Sequence, residues 1–160
     1  MESKILIVYY SHSNHTKKIA TMIQSKVGGT LCEIEPETAY PTLYHAVVEQ
    51  AKQEIQRGFY PPIKSRIENV EAYDTIFIGS PNWWSTMAPP IVTFLKEHDL
   101  SGKVVIPFCT HGGGGTGSIE RDIVNLCPQS TMRSIFSIYG DGGRDAEVHL
   151  SKWLEKIKID

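Results

Sequence analysis

Residues 8–20 read VYYSHSNHTKKIA. An apolar run stops at Tyr10, and six polar residues follow: Ser11, His12, Ser13, Asn14, His15 and Thr16. A helical period then begins at once, with Ile19, Ile23 and Val27 on one face. A strand that turns straight into a helix leaves the first helical N–H groups without partners at the junction. The helix dipole makes the same place favourable for an anion. Ser11, Ser13, Asn14 and Thr16 add hydroxyl or amide donors. The stretch predicts a cradle for a phosphate monoester, with backbone N–H groups of His12 and His15 taking part. Lys17 and Lys18 come only afterwards, inside the helix, so the donors are mainly neutral and suit a phosphate that is held, not transferred. A generously capped helix is the competing reading, although one Ser or Asn is enough for a cap.

Outward from this junction, apolar runs alternate with helical periods. Strands are expected at 5–10, 30–34, 75–80, 104–110 and 134–140. Helical faces are marked by Ile19, Ile23 and Val27, by Leu43, Val47, Ala51 and Ile55, and by Ile91, Phe94, Leu95 and His98 behind Pro89 and Pro90. Two more follow, at Ile119, Ile123 and Leu126 and at Leu150, Trp153, Leu154 and Ile157. This alternation predicts an α/β three-layer sandwich around a five-stranded parallel sheet. Strands one, three and four are almost continuously apolar, as buried central strands are. Strands two and five carry Glu33, Ser134 and Ser137 and read as edges. The order expected is 2-1-3-4-5. Pro107 inside strand four removes a ladder donor and points to a bulge.

The 160 residues suggest one domain, 1–160, and the net charge of −2 favours neither nucleic acid nor an anionic membrane. No apolar stretch approaches the length of a membrane span, and the N-terminus reads as a first strand, not a signal peptide. Cys32, Cys109 and Cys127 are scattered, which fits small buried side chains in a reducing cytoplasm.

Ligands of such sheets bind beyond the carboxyl ends of the strands, at the point where the winding reverses. Three loops converge there: 11–16, 80–88 and 110–118. The second places Trp83 and Trp84 side by side, a flat aromatic surface beside the cradle, unless it is a hydrophobic plug or a protein interface. The third, THGGGGTGS, is almost bare backbone, able to approach a ligand closely. A flexible connector is its alternative.

At these loops the sequence resembles the flavodoxin family. Ser11-His12-Ser13-Asn14-His15-Thr16 matches that family's phosphate loop, [ST]-x-[ST]-[GN]-x-T, in full. GSPNWW matches the ring-flanking loop in position and kind, and CTHGG a common form of the third loop. The resemblance covers the chain in element order. It implies non-covalent FMN, with Ser11, His12, Ser13, Asn14, His15 and Thr16 at the phosphate. Pro81, Asn82, Trp83 and Trp84 would border the ring, and Thr110, His111, Gly112 and Gly113 its pyrimidine side. The chemistry would be the flavin's, with no catalytic side chain and no metal. One of the two tryptophans would stack on the ring, with Trp83 preferred. The chain also departs from the family pattern. It lacks room for the insertion of long-chain members and the strong acidity of electron carriers. His111 and glycines stand where a second flanking tyrosine is usual, which predicts an open ring face.

Three literal matches carry less. Cys127 to Arg133 fits a phosphatase loop, C-x5-R, but Cys127 is expected to end a helix, far from the switch point. Gly112, Gly114 and Gly117 fit G-x-G-x-x-G without the βαβ unit that motif needs. His12, His15 and His111 are a metal trio by type only. The sequence therefore reads as an FMN-binding electron-transfer protein served by a redox partner protein or a small quinone-like substrate. The alternatives are an NAD(P)H-dependent FMN quinone reductase and a non-redox interaction module.

Overall fold

A computed structural model of the chain describes residues 4–64, 67 and 69–157. Strand β1 (Ile5–Tyr9) is buried along its whole length and pairs in parallel with β2 (Thr30–Glu33) on one side and β3 (Thr75–Trp83) on the other. Strand β3 continues to β5 (Val104–His111), also parallel. Between them in the chain, but off this path in the sheet, comes β4 (Thr86–Met87), which folds back on the end of β3 as a short antiparallel hairpin. The fifth place in the sheet is shared by two pieces, β6 (Thr131–Met132) and β7 (Phe136–Tyr139), both parallel to β5. Taken as main strands, this is the order 2-1-3-4-5 expected from the sequence, with Glu33 and Ser137 on edge strands.

The break in the fifth strand explains Pro107. Val105 accepts from the Arg133 N–H at 3.0 Å, so Val105 turns its polar groups toward β6. Two residues on, Pro107 turns the same way and has no N–H to give. On the facing chain, Arg133, Ser134 and Ile135 span the gap between the partners of Val105 and Phe108, where β5 has only Ile106 and Pro107. The extra residue falls opposite the missing donor, as in a bulge. The expected run 134–140 is therefore shortened to Phe136–Tyr139.

Among the described residues five helices cover the sheet. Helices α1 (His15–Val27) and α5 (Ala146–Ile157) lie on one face, over Ile7, Phe77, Ile106 and Phe108. Helices α2 (Tyr44–Arg57), α3 (Pro89–Glu97) and α4 (Ile119–Leu126) cover the other, over Leu6, Val8, Ile76, Ile78 and Val105. Alternate residues of each central strand thus feed two separate cores. Gly79 is required by this packing, because a Cβ there would stand 2.1 Å from the Phe108 ring.

Helix α2 differs from the expected face. Leu43 precedes the helix as its N-cap and is 74% exposed, whereas Glu54 is buried beside Val47 and Ala51. Periodicity alone could not foresee a buried carboxylate. It is accommodated because the Tyr40 hydroxyl donates to Glu54 Oε1 at 2.5 Å and Gln50 Nε2 to Oε2 at 3.0 Å.

Candidate functional site

The ends of β1, β3 and β5 deliver three loops to one cleft of about 640 Å3. It is lined by His12, Ser13 and His15 of the first loop, Pro81 to Trp84 of the second and Thr110 to Gly112 of the third. That volume lies in the range of roughly 300–1,000 Å3 usual for cofactor-sized ligands.

In the first loop Asn14 adopts φ 71°, a left-handed conformation that asparagine tolerates better than most residues. The bend starts α1 at His15 and leaves the N–H groups of His12 to Thr16 without an acceptor among the described residues. Ser13 is exposed and its hydroxyl has no partner there either. Ser11 Oγ instead accepts from the Lys17 N–H at 3.2 Å, a cap on the first helical turn. Thr16 is buried and its hydroxyl bonds that of Thr110 at 2.8 Å, tying the first loop to the third. The stretch therefore holds both a cap on the first helical turn and an open set of donors. The lysines are engaged elsewhere, Lys17 with Glu33 at 3.9 Å and Lys18 with Asp141 at 3.5 Å. His12 turns to the carbonyl of Pro41 at 3.0 Å. Among the described residues no group of three His, Cys, Asp or Glu side chains is placed to hold a metal ion.

The second loop is a hairpin. Trp83 pairs with Thr86, and Trp84 and Ser85 occupy the turn with φ of 54° and 70°. Two positive φ values make a type I′ turn, which normally recruits Asn and Gly. Trp83, on the strand, packs edge-on against Tyr40 and Tyr10 with centroids 5.0 and 5.4 Å away. Burial, above all, pushes both phenol pKa values well above the ordinary range; the Glu54 charge adds to both, and for Tyr40 its hydrogen bond to that carboxylate does as well. Trp84 lies against α2, its Nε1 donating to the Val48 carbonyl at 2.9 Å with Lys52 Nζ 5.3 Å from its ring. Both indoles line the cleft.

The third loop laces onto the second. Asn82 Nδ2 donates to the Gly115 carbonyl at 2.8 Å, and the Ser118 N–H donates to the Ser85 carbonyl at 2.6 Å. Gly117 passes so close that a Cβ would lie 2.4 Å from the Ser85 oxygen. The spacing of Gly112, Gly114 and Gly117 therefore serves loop contact at its last position. Gly112 lines the cleft and Gly113 directs its N–H to His111 Nδ1 at 3.0 Å. Ser11, Asn14, Thr16 and Gly113 support the lining without belonging to it.

Sequence reasoning missed the α2 side of the cleft, Tyr44, Val47, Val48 and Ala51, and it missed Tyr139. Tyr139 ends β7 and meets His111 edge-on at 6.1 Å, so an aromatic side chain stands where only His111 and glycines were foreseen. Its place at the carboxyl end of a strand was the available signal. Cys127 caps the end of α4 and precedes β6, remote from the cleft; burial, with Asp99 adding, pushes its thiol up to about 11. An attacking thiol needs the opposite shift.

A family model described as Flavodoxin matches residues 4–157. The fold is similar to a proposed flavoprotein from Bacteroides eggerthii, with a TM-score of 0.87 and 31% identity over 99% of this chain and 100% of that one. It is also similar to a flavoprotein in complex with FMN from Lactobacillus acidophilus, with a TM-score of 0.74 and 28% identity over 95% and 99% of the two chains. A curated relative, an NAD(P)H dehydrogenase (quinone) from Cupriavidus metallidurans, is 25% identical over 134 residues, 78% of this chain but 66% of that protein.

Proposed function

Because the chain belongs to the flavodoxin family and is an FMN-binding redox protein, we propose that the cleft at the ends of β1, β3 and β5 is where it holds FMN, without a covalent link. The observation that carries this assignment is the set of open N–H groups at His12 to Thr16, next to an indole-walled space of cofactor size. Their neutral donors suit a phosphate, and the apolar wall suits a flat ring.

When bound, FMN supplies the redox chemistry. The residues of this chain do the rest. Backbone donors and Ser13 hold the phosphate, while Ser11, Asn14 and Thr16 shape the loop that presents them. Pro81, Asn82, Trp83 and Trp84 border the ring, with Trp83 braced from behind by Tyr40 and Tyr10. Thr110, His111, Gly112 and Gly113 close the pyrimidine side. The function is electron transfer through FMN to a redox partner protein or a small quinone-like acceptor.

The second reading is an NAD(P)H-dependent quinone reductase. The named relative favours it, although the match spans 66% of that protein. Among the described residues no helix is long and apolar enough to cross a membrane. The three free thiols suit the cytoplasm, where we place the protein. The test is a visible spectrum of the purified protein, followed by release and identification of the chromophore. FMN is the expected product, and a colourless protein that takes up no added FMN defeats the assignment. Steady oxidation of NADPH with a quinone and no partner protein would select the reductase.

A further inference from the structure

His111 ends β5 and lines both the cleft and an adjoining depression of about 700 Å3. Its Nδ1 accepts the Gly113 N–H at 3.0 Å. A backbone N–H can only donate, so Nδ1 carries no hydrogen and the neutral imidazole has its hydrogen on Nε2. The residue is also held from the side. Tyr139, its register partner on β7, packs edge-on at 83°, and the Gly140 N–H donates to the His111 carbonyl at 2.8 Å. Among the described residues nothing accepts from Nε2.

Such a ring is a poor acid, because giving up the Nε2 hydrogen would leave an imidazolate. It is a good neutral donor, able to stabilise negative charge without transferring a proton. We propose that His111 is the fixed, neutral hydrogen-bond donor that stabilises the negative charge of the two-electron-reduced flavin on its N1–O2 edge. This rests on the FMN reading of the cleft. No proton leaves His111, and no bond to it forms or breaks.

The depression beside His111 also holds His15 from α1, Tyr139 at the end of β7, Asp141 just beyond it, Asp145 just before α5 and His149 within α5. The Gly143 N–H and then the Lys18 charge hold the Asp141 carboxyl below its usual range. These groups contribute to any pH dependence, so the test compares variants at His111 alone.

In the flavin-free protein, nitrogen-15 NMR at neutral pH should show a protonated Nε2 and an unprotonated Nδ1 for His111. In the FMN-loaded protein, the pKa of the reduced ring is followed by absorbance in the wild type, His111→Phe and His111→Gln. The Phe variant should raise that pKa by about one to two units, the size of one lost hydrogen bond to a charged group. The Gln variant, which offers an amide N–H, should recover most of the shift. A hydrogen on Nδ1, or the same pKa in wild type and Phe variant with FMN bound, overturns the assignment of His111. A wild-type protein that binds no FMN overturns the reading of the cleft and His111 with it, and shows before any titration.

Discussion

The loop 11–16 and the hairpin 81–86 line the same cleft, and their polar groups have opposite fates. In the first loop the N–H groups of His12 to Thr16 and the Ser13 hydroxyl have no protein partner among the described residues. In the hairpin, Asn82 holds Gly115, the Ser85 carbonyl takes both the N–H and the hydroxyl of Ser118, and Thr86 donates to Asp122. Even the Trp84 nitrogen is committed, to Val48. Hydrogen-bonding capacity left open marks where a ligand's polar part goes; capacity satisfied internally marks a rigid wall.

Removing the phosphate from the ligand should matter most. Two hydrogen bonds to a charged group, at about 1.5 kcal/mol each, amount to roughly 3 kcal/mol, or about 150-fold. Titration should therefore find riboflavin bound at least that much more weakly than FMN. Equal affinities would remove the distinction between the loops.

Next comes the wall. Trp83→Ala removes an indole braced by two tyrosines and should lower stability by about 2–3 kcal/mol in urea unfolding, toward the low end for aromatic truncations because the site is half-buried. Bound flavin should also brighten. Full stability with dim flavin would mean that the hairpin does not stand on Trp83.

Behind the wall, Tyr40→Phe leaves the buried Glu54 with Gln50 alone among the described residues and should cost about 2 kcal/mol. The same phenol predicts a pH effect. Its folded pKa is raised, so the unfolded chain releases its proton first, and stability is full below the ordinary value of 10 and falls as pH rises beyond it. Tyr9, raised to about 12 chiefly by burial, adds a fall between 10 and 12. Alkaline unfolding should be shallower in the Phe variant; an unchanged slope would assign the effect to Tyr9 and Tyr10.

The smallest effect belongs to Trp84→Asn. Asparagine suits φ 54°, which relieves about 1 kcal/mol of strain, while the bond to Val48 and the Lys52 contact are lost at similar cost. Net stability should stay within about 1 kcal/mol. A loss well above that in thermal unfolding would show that Trp84 anchors the hairpin.

Strand order and the first loop were legible in the sequence because each leaves a local trace. Continuous apolar runs mark buried strands, and a polar cluster at a strand–helix junction marks open donors. The hairpin was not legible. Trp84 and Ser85 carry no turn signature, and their left-handed backbone is imposed by contacts with α2 and with Ser118, residues 36 and 33 positions away. Glu54 was hidden for the same reason: its partner Tyr40 lies in a loop whose course periodicity does not encode. Tyr139 could be seen as a strand end but not as a neighbour of His111, which depends on the register of β7 against β5.

Pro107 has one more consequence, for how this protein meets its own copies. A long, flat edge strand is a template on which another chain can add itself and begin an aggregate. Here the outer strand is offered in two short pieces, Thr131–Met132 and Phe136–Tyr139, separated by a bulge opposite the proline. An incoming strand in regular register would match one piece and miss the other. A single imide on the neighbouring strand thus protects the outer edge of the sheet from open-ended pairing.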